Sequence, residues 1–141
     1  MISVPGSKVR MADITGDEAR ALYPTNPVIL LPMGSHEDQG PHAPMGDYFL
    51  AEKMAELIAL RATAEGTRTV VADELFAELL RHKLTRLVII NGHGGNVNVI
   101  NEATRAVMHR GGPVIPSLYL WRIAYAEMPK LLGAEKAKAV S

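Results

Sequence analysis

The stretch Arg86-Leu87-Val88-Ile89-Ile90-Asn91-Gly92-His93-Gly94-Gly95-Asn96 constrains this chain more than any other. Leu87 to Ile90 is an unbroken apolar run dominated by β-branched residues. Such a run has no polar face to offer water, so it predicts a strand buried on both sides, as in a parallel sheet. Asn91 to Gly95 then forms a turn. Its three glycines carry no Cβ, so the backbone can approach another group closely. From about Asn96 the spacing becomes helical, with Val99, Ile100, Ala103 and Val107 on one face and Gly111-Gly112 as the stop. His93 is thereby placed at the carboxyl end of a buried strand, on the rim where open α/β sheets take their ligands.

A second strand of the same kind, Val28-Ile29-Leu30-Leu31, is expected to end at Pro32. It leads into the loop Gly34-Ser35-His36-Glu37-Asp38-Gln39-Gly40-Pro41-His42-Ala43-Pro44-Met45-Gly46-Asp47. Two prolines and three glycines exclude a regular element there. Asp47 is suited to N-cap the next helix, expected over 48–65, with Leu50, Met54, Leu57 and Ile58 on one face and Gly66 as the C′ residue.

Upstream, residues 1–10 read as a loose arm. Residues 12–23 read as a short helix whose Thr15 and Glu18 stand at capping-box spacing. Downstream, a third strand is expected over 67–72, and a helix over 73–84 with Leu75, Phe76, Leu79 and Leu80 apolar. The join Ala72-Asp73 leaves no room for the loop of ~2–6 residues that a parallel strand needs before its helix. It predicts that a segment is missing there, and the chain is expected to lack a further segment after Ser141. Residues 113–121 make a fourth strand candidate, and 124–140 a helix interrupted at Pro129 and Gly133. The alternation predicts one domain over 1–141, of α/β class, with a mostly parallel sheet covered by helices.

Composition narrows the function. Lys+Arg and Asp+Glu are 15 each, so bulk charge makes no case for nucleic acid or an anionic membrane. No apolar run approaches the ~20 residues of a membrane span, and the start lacks the apolar core of a signal peptide. The cytoplasm is therefore the expected location. There is no cysteine, which removes disulfides, thiolate zinc sites and a thiol nucleophile together. Any metal site must use His, Asp and Glu.

The loop from Gly34 to Asp47 and the turn from Asn91 to Asn96 together resemble the two signatures of the creatininase (creatinine amidohydrolase) family, in the family's order, with similarity from about Pro27 to Met108. The resemblance implies a three-layer α/β/α fold, a homo-oligomer (usually a hexamer), and metal-dependent hydrolysis of small, often cyclic, amides. It places the family's metal ligands on Glu37, Asp47 and His93, and a histidine near the metals on His42. This sequence departs from the pattern in carrying Gln39 where the usual motif has a metal-binding histidine. Its loop is one residue shorter before Asp47. It has Gly95 where some members have a glutamate ligand. No counterpart of the family's late acidic residue occurs before Ser141. One ion or two is therefore left open.

The chemistry agrees with that assignment. One imidazole and two carboxylates suit a borderline divalent ion, zinc first and manganese or iron as alternatives, and leave positions for water and substrate. Such an ion activates water and polarises a carbonyl, as amide hydrolysis requires. Gln39, Gly94, Gly95 and Asn96 are expected to contact substrate or support the ligands, with the turn offering backbone N–H groups to an oxyanion. His42 is the candidate proton carrier. Plainer readings stand beside these: Asp47 as a helix cap only, His93 as a satisfied polar residue, His36 and His42 as loop residues bonded to backbone, and His82 and His109 as structural cations at helix ends. The expected function is a metal-dependent hydrolase of a small amide. One alternative is a degenerate family member that binds metal or ligand without turnover. Another is a phosphate- or nucleotide-binding domain using the glycine turn, weakened by the absence of an adjacent lysine.

Overall fold

The computed structural model describes residues 5–41, 43–72, 76–133 and 135–136. Four strands, β1 (Val28–Met33), β2 (Thr69–Val71), β3 (Leu87–Asn91) and β4 (Ser117–Tyr119), form one sheet in the order β2-β1-β3-β4. Every pairing is parallel. Five α-helices accompany it among the described residues: α1 (Gly16–Leu22), α2 (Tyr48–Ala64), α3 (Phe76–Arg81), α4 (Val97–His109) and α5 (Leu120–Leu132).

Strand side chains alternate between the two faces. Ile29, Leu31, Leu87 and Ile89 pack on one side with Leu22 of α1, Leu79 of α3 and Ile100 of α4. Leu30, Ile90 and Val88 pack on the other with Ala55 and Ala59 of α2 and Leu120 of α5. The result is the expected three-layer α/β/α arrangement. The strands carry apolar residues on both faces because both faces are covered.

Several local expectations change. β1 runs through Pro32 to Met33, with Pro32 opposite Ile90. Its other neighbour, β2, pairs only with Val28 to Leu30, so at Pro32 no second ladder needs the missing N–H. The buried face of α2 is Ala51, Ala55 and Ala59, all with no exposure, whereas Leu50, Met54 and Leu57 are exposed. Small side chains let the helix lie close on the sheet, and the larger ones point away. The amino-terminal arm is tied down: Val9 is buried, its carbonyl accepts from Val71 N at 2.7 Å, and Arg68 donates to Lys8 O at 2.9 Å. α5 starts at Leu120, earlier than expected, and continues through Pro129 to stop before Gly133, whose φ is +80°. The suspect join at Ala72-Asp73 and the apolar assignment of Leu75 both fall on residues 73–75, which lie outside the described residues.

Two crossovers place the site. The connection from β1 to β2 passes through α2 on one face of the sheet, and that from β3 to β4 passes through α4 on the other. The chain therefore leaves the carboxyl ends of the adjacent strands β1 and β3 in opposite directions. A crevice opens between them, which is the switch point where open α/β sheets bind ligands.

Candidate metal centre

Both chemically loaded segments start at this crevice, the 34–47 loop from β1 and the glycine turn from β3. Gly92 N donates to Met33 O at 2.8 Å and holds the two strand ends together. Gly34 lets the loop turn under α2: a Cβ there would lie 2.5 Å from Tyr48 N and 2.7 Å from Asp47 Oδ1.

Asp47 occupies the N-cap position of α2, yet its side chain makes no capping bond. Its Oδ1 instead accepts from Ser35 N at 2.6 Å, which turns Oδ2 toward His93 Nδ1 at 3.0 Å. Glu37 Oε1 approaches the same nitrogen at 3.2 Å. The loop is closed behind these groups by Gly46 N donating to Glu37 O at 2.6 Å. Side-chain exposure is 13% for Asp47, 22% for His93 and 41% for Glu37, so the group opens toward solvent from the Glu37 side.

Among the described residues, Glu37, Asp47 and His93 form a group that could hold a metal ion, each offering one ligand atom within 4.8 Å of the others. The donor set fits a divalent cation on two counts. A tetrahedral ion with bonds of about 2.0–2.1 Å keeps its ligand atoms about 3.3 Å apart, close to the two separations at His93 Nδ1. The charges also leave room for a cation: two carboxylates meet one imidazole, and among the described residues no lysine or arginine lines the cleft they share. A single imidazole proton cannot satisfy both acids.

Gln39 donates from Nε2 to Glu37 Oε1 at 2.9 Å and so braces a candidate ligand. Gly94 and Gly95 line the cleft beside His93. A Cβ on Gly95 would lie 2.6 Å from His93 Nε2, whereas one on Gly94 would meet nothing within 4 Å. Asn96 donates to Gly34 O at 3.3 Å and to Asn91 Oδ1 at 3.4 Å, bridging the two segments. His42, the candidate proton carrier, lies outside the described residues. His36 stacks near Tyr48, with ring centroids 5.9 Å apart.

Two features escaped the sequence reading. Asn91 is fully buried. Its Nδ2 donates to His93 O at 2.8 Å, and its Oδ1 accepts from His93 N at 3.1 Å, so one amide grips both backbone groups of the histidine. The signal was present, since asparagine before a glycine turn favours such local bonds. The second is α5, whose Trp121 and Tyr125 form part of a cleft of about 880 Å³ shared with the candidate ligands.

The family's sequence model, described as creatinine amidohydrolase, matches residues 12–73 and 62–139. The chain belongs to the creatininase family. It is 31% identical over 120 residues to a mycofactocin precursor peptide peptidase of Mycobacterium ulcerans, covering 62% of this chain and 48% of the relative. It is 27% identical over 121 residues to the peptidase of the same name from Mycobacterium tuberculosis, with the same coverage. The chain thus spans about half the length of the curated relatives it matches. An alignment of 120 residues that uses 62% of a 141-residue chain also leaves residues of the relative without a counterpart here. No solved structure matches. Among the described residues, no helix is long and apolar enough to cross a membrane.

Proposed function

We propose that this creatininase-family chain is a metal-dependent hydrolase of an amide bond, with Glu37, Asp47 and His93 holding the ion. The observation that carries the reading is the convergence of those three ligand atoms at the crevice between β1 and β3, with no lysine or arginine among the described residues that line the cleft. Zinc is the first candidate, with manganese or iron as alternatives. When bound, such an ion lowers the pKa of water to about 7 and polarises a carbonyl. The chain's own residues do the rest. Ser35 N and Gln39 orient the two carboxylates, Asn91 fixes His93, and the side-chain-free turn at Gly94 and Gly95 leaves space beside the imidazole for a substrate carbonyl. His42 is assigned proton transfer. The relatives' name extends the substrate class from small cyclic amides to peptide amides.

Two other readings make different predictions. Gln39 bonded to Glu37 favours a degenerate member that binds metal without turnover. The phosphate-binding reading is disfavoured by the acids at the turn and by the N–H groups of Gly92, His93 and Asn96, which already donate to Met33 O, Asn91 Oδ1 and His93 O. A homo-oligomer, a cytoplasmic location and a segment missing at Ala72-Asp73 belong to the same proposal.

The test is metal analysis of purified protein, followed by turnover of a panel of lactams, formamides and short peptides, with His93→Ala as control. Stoichiometric zinc that His93→Ala loses, together with turnover, supports the hydrolase. Bound zinc without turnover selects the degenerate reading. No metal under any loading condition overturns the proposal.

A further inference from the structure

The cleft beside the candidate ligands has an apolar wall that the core does not use. Leu50 and Met54 of α2, Leu118 of β4, and Ile123 and Tyr125 of α5 line it, each between 41% and 55% exposed. Trp121 completes the wall. Among the described residues, Glu37, Asp47 and His93 are its only titratable lining groups besides Tyr125. Large apolar side chains left open to water on a single concavity mark a binding surface, and ligand sites pair such walls with a few convergent polar groups. Here the polar groups are the candidate metal ligands themselves.

We propose that this wall is a specificity subsite, taking a neutral apolar side chain next to the scissile amide. The inference rests on the hydrolase reading and names its substrate class: an amide or peptide with an aliphatic or aromatic residue at the cleaved bond. The continuity of wall and ligands argues for substrate as the occupant. An apolar group seated there lies beside the bond to be broken. A polar side chain seated against Leu50, Met54, Leu118 and Ile123 would lose its water with no hydrogen-bonding partner from those four residues. Seating a leucine-sized group is expected to favour it by about tenfold or more over a carboxamide of similar size.

Trp121 is the sole tryptophan, so its emission reports occupancy without any need for turnover. Zinc-loaded protein is titrated with N-acetyl-leucinamide and with N-acetyl-asparaginamide, a neutral polar probe of similar size, and the emission is read on mixing. The leucine probe is expected to shift the emission to shorter wavelength and to bind at least tenfold tighter. Met54→Lys and, separately, Leu118→Lys are expected to weaken the leucine probe at least tenfold, with zinc affinity within twofold of the parent. Both positions are partly exposed, so the lysine can reach solvent and the fold is retained. Equal affinity for the two probes overturns the proposal. So does a lysine variant that leaves probe affinity unchanged but turns a larger species into a monomer in light scattering, which would assign the wall to a second copy. Probe discrimination in protein that takes up no zinc supports the subsite while removing the metal reading, so the two failures are distinguishable.

Discussion

Asn91→Ala and Asn91→Asp test whether the candidate ligand His93 is held by its neighbour. Asn91 is fully buried, and its amide meets both the N–H and the C=O of His93, at 3.1 and 2.8 Å. Alanine removes both bonds, but His93 O keeps Asn96 N at 3.3 Å, so His93 N is the group left without a partner. An orphaned donor costs about 1–3 kcal/mol, and the turn lies near enough to solvent for the lower half of that range, so the expected loss is about 1–2 kcal/mol. For a chain of this size that lowers the melting temperature by about 5 °C. Aspartate keeps the shape and the acceptor for His93 N. It replaces the donor with an oxygen facing the His93 carbonyl and buries a charge that meets only neutral donors, His93 N and Asn96 Nδ2. It is therefore expected to cost at least ~2 kcal/mol more than alanine, although it is the closer isostere.

Thermal unfolding gives the stability order, and competition with a chelating indicator gives zinc affinity. Loss of a group that orients a ligand commonly costs ten- to a hundredfold in metal affinity, and about tenfold is expected for Asn91→Ala. If Asn91→Asp were as stable as Asn91→Ala, the donor from Nδ2 would carry no weight and the clamp would be wrong. If both variants bound zinc like the parent, Asn91 would be structural only.

Three further outcomes follow from the same geometry. Gly95→Ala is expected to weaken zinc at least tenfold with little loss of stability, because its Cβ would displace the His93 ring, while Gly94→Ala, open to solvent, stays within twofold. Gly34→Ala is expected to cost more than about 3 kcal/mol in thermal unfolding, since its Cβ would meet the backbone of Tyr48, which cannot move without moving α2. The Lys8 ammonium and the Thr15 N–H lower the Glu18 carboxyl from 4.5 to about 2. A lowered folded-state pKa contributes stability above the unfolded value and loses it as pH falls toward the folded one, so the deficit of Glu18→Gln is expected at pH 6 and to vanish between pH 4.5 and about 2 in acid titrations of stability.

The buried strands were legible because Leu87 to Ile90 is rich in β-branched residues and is cut off at once by a glycine turn, and the capping box at Thr15 and Glu18 forms as its spacing requires, with both bonds present. The burial of α2 was not legible. Hydrophobic periodicity weights leucine and methionine above alanine, but the sheet selects for close approach, and Ala51, Ala55 and Ala59 win that contest. The start of α5 was obscured for a related reason. Leu118-Tyr119-Leu120-Trp121 is apolar throughout, and such a run does not distinguish a strand from a buried helix. The capping role of Asp47 was a sound inference from preference alone, yet Ser35 N competes for its carboxylate and turns it to His93.

The convergence of Glu37, Asp47 and His93 follows from topology more than from any one contact. Residues 46 positions apart, Asp47 and His93, meet because β1 and β3 are parallel neighbours in register, Met33 opposite Asn91. Their crossovers then diverge to opposite faces, which prevents either helix from covering the crevice. Reordering the sheet so that β2 lay between β1 and β3 would separate the two segments by about another strand spacing, ~4.8 Å, and no ion could be shared. The candidate centre therefore depends on the two central strands and the segments that leave them, while α5 and the outer face of α2 line the cleft beside it.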